Sequence, residues 1–197
     1  MKKKILILGG GLIHVPTIKT ANQMGLFTVV MDLDPNAIGL KIAKKGIPLD
    51  GSNKKNVLRV AKSEKVHGIL PTGDYSLTPA AYAAEKLGLN SMSLATSLLV
   101  TNKGKLFENF SKYGVPIPPR VLTKNLSESL SAVRKLGFPV ILKPEYSFGA
   151  SRGVIRVNAF SELEEKFKFT EKFHNLHTNE FHAVFWDLNC FILDFCL

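Results

Sequence analysis

Residues 137–157, GFPVILKPEYSFGASRGVIRV, hold the pattern that decides how the fold is interpreted. An apolar run ends in Lys143, a loop of small and hydroxyl residues follows, and a Val/Ile run resumes after the loop. This pattern predicts two strands joined by a flexible loop, which is a β-hairpin. Gly149 and Gly153 in the loop lack a Cβ, so the backbone N–H groups beside them can approach an anion closely.

The same loop carries side chains that suit phosphate. Lys143 and Arg152 supply positive charge, and Ser147 and Ser151 supply hydroxyl donors. The spacing differs from that of a P-loop, in which the lysine follows the glycines and a helix comes next. An ordinary hairpin with a solvated lysine and arginine is the alternative that this stretch by itself leaves open.

The order of several motifs along the chain favours phosphate binding. Lys103 lies in TNK at 101–103, and GVPIPP at 114–119, GFPVILKP at 137–144 and GASRGV at 149–154 follow it. This order resembles that of the ATP-grasp family from residue 1 to about residue 160. The resemblance implies that the phosphates of ATP contact Lys103, Lys143, Ser147, Gly149, Ala150, Ser151, Arg152 and Gly153. Glu145 and Tyr146 are interpreted only as residues that flank the loop.

The amino-terminal part alternates strands and helices in the way of a parallel sheet. A strand at 4–8, three glycines, a helix at 15–24 and a strand at 27–31 predict one βαβ unit. Helices are also predicted at 54–64, 77–87 and 96–113, and Ser161 with Glu164 predicts a capping box that starts a last helix. The chain is expected to change domain between residue 98 and the proline-rich connector at 115–119.

The predicted fold class is therefore α/β. A Rossmann-like parallel-sheet domain of the pre-ATP-grasp type is expected at 1–98. The amino-terminal part of an incomplete α+β ATP-grasp domain is expected at 99–172, and an atypical apolar tail at 173–197.

Polar residues lie at the predicted carboxyl ends of the first strands, where an open parallel sheet binds ligands. The ATP-grasp resemblance implies that this edge faces the second substrate, and the candidates for contact with it are Gly10, Gly11, His14, Gly73 and Asp74. For His14, a polar residue at the start of a helix is the favoured interpretation. Asp32 follows the glycines at the spacing of an acid that binds a ribose hydroxyl, so an NAD(P)-binding domain is an alternative, although the glycine spacing of that motif fails after Gly11.

Charge and cysteine content limit the function classes. The chain has 26 Lys and Arg against 16 Asp and Glu, a net charge of +10, but no aromatic residues alternate with the lysines, so a nucleotide is favoured over nucleic acid as the anionic partner. The two cysteines, Cys190 and Cys196, offer no disulfide framework and too few ligands for zinc. No apolar run reaches the ~18 residues of a membrane span. A cytoplasmic protein without membrane contact is predicted, and formation of a homo-oligomer is left open.

The end of the sequence departs from the family pattern. The resemblance implies an acidic pair at an adenine hinge, then a metal-binding acid and an acid-x-Asn strand. Asp187-Leu188-Asn189 imitates the last motif but follows Gly149 by only about 40 residues, so coincidence is the favoured explanation. A truncated or frame-altered chain is expected, with no identifiable catalytic residue or metal ligand.

The resemblance implies a function as the ATP-binding amino-terminal portion of an ATP-dependent carboxylate–amine ligase or a related enzyme. Such a ligase uses ATP and Mg²⁺ to convert a small carboxylate into an acyl phosphate, which an amine then attacks. Cations that neutralise the developing charge and a loop that excludes water serve this transfer. The alternatives are a non-catalytic nucleotide-binding fragment and an NAD(P)-dependent oxidoreductase domain.

Overall fold

The structure, a computed structural model, describes residues 2–146 and 151–173 together with the backbone of Ala183–Asp187. Contacts divide the chain into two compact units, Met1–Thr101 and Asn102–Leu197. The division lies between residue 98 and the connector at 115–119, and that connector is inside the second unit. Each unit has its own sheet and its own buried core.

The first unit is built on a parallel sheet whose strands lie in the order β3-β2-β1-β4. The strands are β1 (Lys4–Leu8), β2 (Phe27–Asp32), β3 (Lys45–Pro48) and β4 (Gly68–Pro71). Strand β1 lies between β2 and β4, and its residues Leu6, Ile7 and Leu8 are fully buried. A central parallel strand is apolar on both faces because helices cover both faces of such a sheet.

Helices lie against both faces of this sheet. They are α1 (Val15–Gln23), which follows a short 3-10 turn at Leu12–His14, α2 (Ile38–Ile42), α3 (Lys54–Glu64), α4 (Asp74–Leu87) and α5 (Leu94–Thr101). Ile18 of α1 packs with Ile7 and Val30 in one cluster. Val57 of α3 and Ala80 of α4 pack in a second cluster with Leu6, Leu8, Val29 and Met31.

The single helix predicted at 96–113 is wrong, because the chain leaves helical geometry at Asn102. This residue has an extended backbone and is the N-cap of a new helix, α6 (Lys103–Lys112). Its Oδ1 accepts a hydrogen bond from the Lys105 N–H at 2.8 Å, which satisfies one of the free donors at the helix start. An isolated antiparallel bridge to Tyr146 holds Asn102 in this extended conformation.

The second unit contains an antiparallel sheet in the order β5-β8-β6-β7. After α6, its elements are β5 (Arg120–Thr123), α7 (Leu126–Leu136), β6 (Val140–Pro144), β7 (Ile155–Val157), α8 (Phe160–Glu171) and β8 (Ala183–Asp187). The predicted hairpin is confirmed, since β6 and β7 pair with Leu142 opposite Ile155. The segment expected to be an atypical tail supplies strand β8, which lies between β5 and β6.

Alternate residues of this sheet face opposite sides, as in any strand. Val140, Leu142 and Val157 are fully buried, and they pack with Ala132 and Val133 of α7 and with Leu163 and Phe167 of α8. Arg120, Leu122, Ile141, Lys143 and Arg156 take the alternate positions and therefore lie on the other face. Lys143 thus lies on the face away from α7 and α8. Helix α6, which begins at Lys103, contacts the same face, because the centroid of its Phe107 ring lies 5.9 Å from Lys143 Nζ.

The capping box predicted from Ser161 and Glu164 is also wrong. Helix α8 begins at Phe160, and its N-cap, two residues before Ser161, is Ala159, which has no side-chain acceptor. Instead, the Glu162 carboxylate accepts a hydrogen bond from the Asn158 N–H at 2.9 Å. The α/β architecture itself, a parallel Rossmann-like sheet followed by an α+β unit, is confirmed. No helix among the described residues is both long and apolar enough to cross a bilayer.

Candidate functional site

The first candidate site lies in the second unit, where α6 begins beside the end of β6. The Lys103 backbone N–H donates to the Glu145 carbonyl at 3.1 Å, and Lys103 Nζ donates to the same carbonyl at 3.3 Å. Lys143 precedes Glu145 by two residues on β6. The structure thus brings together Lys103 and Lys143, the two lysines that the sequence singled out.

Lys143 is a partly buried cation with an unusual acidity. Burial and, as the smaller cause, the nearby positive charge of Lys103 together lower the pKa of its ammonium group to about 7. Its Nζ lies 5.9 Å from the centroid of the Phe107 ring, a separation at which the face of the ring attracts a cation. An anion placed against this ammonium would favour its charged form and raise that pKa.

Glu145 has more than a flanking role. Its side chain is buried, and its Oε1 would lie 2.5 Å from a Cβ added at position 104. A side chain at the second residue of α6 would therefore have to displace the end of the Glu145 side chain. The carboxylate also lies beside the amino terminus of a helix, where the helix dipole favours negative charge. Sequence reasoning missed this function for Gly104 and Glu145, because no local pattern links a helix start to a strand end so far along the chain.

The structure describes the loop between β6 and β7 at 145–146 and at 151–154. Ser147, Gly149 and Ala150 lie outside the described residues. Ser151 and Gly153 both have a positive φ, and the Ser151 carbonyl accepts from the Val154 N–H at 3.1 Å, which closes a tight turn. Arg152 is exposed in this turn and makes no ion pair with any described residue.

Gly153 anchors the loop to helix α8. Its carbonyl accepts a hydrogen bond from the buried Thr170 hydroxyl at 3.0 Å, and a Cβ at this position would lie 2.9 Å from a ring carbon of Phe173. The sequence suggested that this glycine frees the backbone to approach an anion. The structure gives it an additional function, which is to let the loop end pack closely on α8.

The second candidate site is at the carboxyl edge of the parallel sheet in the first unit. The Gly10 N–H donates to Asp32 Oδ2 at 2.7 Å, and the Gly10 carbonyl accepts from the Gly39 N–H at 2.6 Å. Asp32 Oδ1 accepts from the Asp34 N–H at 2.9 Å. Asp32 therefore binds the glycine turn through Oδ2 and the segment that follows β2 through Oδ1. A phosphate could not take the Gly10 amide without displacing a carboxylate.

His14 lies over the same turn with two hydroxyl groups. Gly9 has φ +128°, and a Cβ there would lie 2.7 Å from both His14 Cε1 and the Tyr75 hydroxyl. The Tyr75 hydroxyl donates to the Leu8 carbonyl at 3.3 Å, and the Thr72 hydroxyl donates to the same oxygen. Sequence reasoning missed Thr72 and Tyr75, which follow β4 in the chain and reach the end of β1 only through the sheet.

Burial and nearby carboxylates shift the pKa values of His14 and Tyr75 at this edge of the sheet. Burial lowers the pKa of His14, while Asp32 acts to raise it, and His14 Nδ1 has neither exposed surface nor a hydrogen-bond partner among the described residues. Burial raises the pKa of Tyr75, which Asp32 and Asp50 raise further and the Thr72 hydrogen bond lowers. His14 therefore favours the neutral form, in which one ring nitrogen can accept a hydrogen bond.

Gly73 and Asp74 lie at the start of α4. Gly73 is the N-cap residue, and the buried Ser76 hydroxyl donates to its carbonyl at 2.8 Å. Asp74 is exposed in the first helical turn, where a carboxylate suits the helix dipole. The predicted edge residues thus share one end of the sheet, with His14 packed against Gly9 and with Asp74 exposed.

The pKa of Lys143 predicts a pH-dependent stability. The folded chain releases the Lys143 proton near pH 7, whereas an unfolded chain holds it up to the ordinary value of 10.5. Because the unfolded chain binds more protons between these values, this group should make the free energy of unfolding rise with pH over that interval. Lys143→Met should remove this rise in denaturant titrations from pH 6 to 10, and Lys168→Met, at an exposed lysine, should retain it. Equal slopes in wild type and Lys143→Met would contradict the assigned acidity.

The contact between Gly104 and Glu145 predicts an unfavourable Gly104→Ala substitution. Replacing glycine by alanine within a helix normally stabilises it by up to about 1 kcal/mol. Here the added methyl group would displace Glu145, and we expect a loss of about 1–3 kcal/mol in the free energy of unfolding. In a double-mutant cycle, Glu145→Ala should relieve most of this loss. A stabilised Gly104→Ala variant would show that Glu145 does not occupy this position.

Comparison with known proteins gives relatives by sequence and by fold. No protein-family model matches the chain. The formate-dependent phosphoribosylglycinamide formyltransferase of Rhodococcus jostii strain RHA1 is 25% identical over 147 residues, which are 73% of this chain and 36% of that protein.

Solved structures share the fold. The carboxyaminoimidazole ribonucleotide synthase from Aspergillus clavatus, complexed with ATP, has a TM-score of 0.74 at 21% identity over 94% of this chain and 47% of that one. The L-amino acid ligase from Bacillus licheniformis has a TM-score of 0.67 at 21% identity, over 93% and 44% of the respective chains. The chain thus spans less than half the length of each of these three proteins. All three are ATP-grasp enzymes, and the chain is a relative of their amino-terminal part, as the order of its motifs indicates.

Proposed function

We propose that the second unit binds the phosphates of ATP through Lys103, Lys143 and the loop at 147–153. The pairing of the start of α6 with the end of β6 carries this proposal, because it holds two lysines of unrelated sequence segments at the base of the loop. Like charges in one place favour an anionic ligand, and a triphosphate offers several oxygen acceptors to both ammonium groups.

The reaction proposed for the complete protein is ATP-dependent joining of a carboxylate to an amine. ATP would phosphorylate the carboxylate, and the amine would then displace phosphate from the acyl phosphate. In this reaction the two lysines would neutralise charge on the phosphate chain and the loop would exclude water. The related L-amino acid ligase, formyltransferase and ribonucleotide synthase support ATP-dependent ligation as the reaction class.

Mg²⁺ is part of the chemistry that the ATP-grasp resemblance implies. Among the described residues, no group of three or more His, Cys, Asp or Glu side chains could hold a metal ion. The described residues therefore do not fit a metal site formed by the protein, and no step is assigned to Mg²⁺.

We assign contact with the second substrate to the sheet edge of the first unit, at Gly10, Gly11, His14, Gly73 and Asp74. The convergence of His14, Thr72 and Tyr75 over Gly9 supports this assignment, since it places several polar groups at the end of a parallel sheet. The engagement of Gly10 by Asp32 disfavours an NAD(P)-binding domain, because the dinucleotide fingerprint uses this turn to approach a pyrophosphate. The second substrate proposed for this edge is a small carboxylate or amine. A cytoplasmic location is proposed for the protein.

Calorimetric titration of the chain tests the nucleotide assignment. We expect ATP and ADP to bind and NAD⁺ not to bind. Lys143→Ala should weaken ATP binding by about 1–3 kcal/mol, as expected for the loss of a charge-assisted contact. Lys168→Ala is the matched control, because Lys168 lies on exposed helix surface of the same unit and should leave the affinity unchanged.

Two results would contradict the proposal in different ways. Binding of NAD⁺ without ATP or ADP would eliminate the ATP-grasp assignment of the site. Unchanged ATP affinity in Lys143→Ala would remove this lysine from it. Release of ADP that depends on an added carboxylate would separate a ligase from a nucleotide-binding chain that does not catalyse.

A further inference from the structure

The ring of a buried phenylalanine in the second unit, Phe107, contacts two cationic side chains. The Arg120 guanidinium carbon lies 4.8 Å from the centroid of the Phe107 ring, and Lys143 Nζ lies 5.9 Å from the same centroid. Phe107 is only 6% exposed, and its edge-to-face contact with Phe110 at 6.1 Å helps to fix the ring. One rigid ring thus sets the positions of both charged groups.

The sheet register places Arg120 and Lys143 on one face. Position 186 of β8 pairs with Arg120 on one side and with Ile141 on the other. Residues in one row of an antiparallel sheet share a face, and Lys143 is two residues beyond Ile141, so its side chain lies on that face too. Arg120 therefore faces the side of the sheet that carries Lys143, rather than the side covered by α7 and α8.

The guanidinium is partly desolvated and lacks a counter-ion among the described residues. Burial lowers the pKa of Arg120, and Glu108 acts on it with the opposite sign but makes no ion pair with it. A partly buried charge without a partner is unfavourable for the fold, and an anionic ligand would offset this cost. Cation–π contact with Phe107 leaves the N–H groups at the edge of the guanidinium plane available to such a ligand.

We propose that Arg120 is a third phosphate-binding cation of this site, which contacts the phosphate chain of the bound nucleotide together with Lys103 and Lys143. The inference rests on the proposed nucleotide binding. A guanidinium suits this position because its planar set of donors can bind two phosphate oxygens at once. Phe107 is then a positioning residue, since it holds Arg120 and Lys143 without itself contacting phosphate.

The alternative is that Arg120 only covers the Phe107 ring. Both explanations predict some loss of stability when Arg120 is removed, so the decisive quantity is how the loss of affinity depends on the number of phosphates. A phosphate-binding arginine should matter for ATP much more than for AMP, whereas a residue that merely packs should not distinguish the two ligands.

We would titrate ATP and AMP calorimetrically into the wild-type chain and into Arg120→Met, Arg120→Lys and Arg134→Ala. Methionine retains apolar contact with the ring and removes the charge. We expect Arg120→Met to weaken ATP binding about 10-fold or more and AMP binding less than about 2-fold, and Arg120→Lys to have an intermediate effect on ATP. Arg134 is exposed on α7, so Arg134→Ala is the matched control and should bind both ligands like the wild type.

The outcomes separate this inference from the proposed function. ATP affinity that is unchanged in Arg120→Met but reduced in Lys143→Ala would overturn the role of Arg120 and leave the nucleotide site intact. A wild-type chain that does not bind ATP would overturn both. Equal losses for ATP and AMP in Arg120→Met would assign Arg120 to packing.

A second measurement covers the case in which the Arg120 variants do not fold. Phenylglyoxal modifies arginine side chains, and peptide mapping by mass spectrometry reads Arg120 and Arg134 separately in the wild-type chain. Saturating ATP should protect Arg120 and leave Arg134 reactive. Equal modification of Arg120 with and without ATP would contradict the inference.

Discussion

The candidate site depends on a short backbone contact between the first residues of α6 and the last residues of β6. The Asn102–Tyr146 bridge and the hydrogen bond from Lys103 to the Glu145 carbonyl join segments that lie far apart in the chain. Glycine at position 104 leaves room for the Glu145 carboxylate at the helix start. This contact holds Lys103 beside Lys143 although their charges repel. Burial first, and this repulsion second, lower the pKa of Lys143, which is the cost of the arrangement. A polyanion is the ligand that would convert this cost into binding energy.

The sequence predicted secondary structure correctly, and indicated candidate site residues, where a motif or a short-range apolar periodicity is present. The β6–β7 hairpin, helix α3 at Lys54–Glu64 and the parallel order of the first strands follow from apolar periodicity and glycine positions. The two lysines followed from the order of motifs along the chain. Phe107, Arg120 and Gly104 could not be found in this way, because their roles arise from contacts across the sheet and from α6 to β6. Such contacts leave no mark on the local sequence pattern.

Two wrong predictions show that local hydrogen bonds can override sequence spacing in deciding where a helix begins. Asn102 lies in a stretch with an apolar helical period, yet its side chain caps a new helix and its backbone pairs with Tyr146. Asparagine in such a stretch is a signal for a helix start that the period alone conceals. Ser161 and Glu164 have the spacing of a capping box, but the Glu162 carboxylate binds the Asn158 N–H instead, and the N-cap is Ala159, two residues before Ser161. In the first unit, Asp32 likewise binds the Gly10 amide. From the glycine motif alone, this amide and this carboxylate were both possible contacts for a dinucleotide.

The central claim is that ATP binds in the second unit at the junction of α6 and β6. Backbone amide chemical shifts of the ¹⁵N-labelled chain, recorded while ATP is added, test it most directly because they locate the ligand without any substitution. The account predicts that the largest changes fall on Lys103, Gly104, Lys143 and Gly153, with small changes in the glycine turn at Gly10 and Gly11. Changes confined to that turn and His14, with none at Lys103 or Lys143, would contradict it.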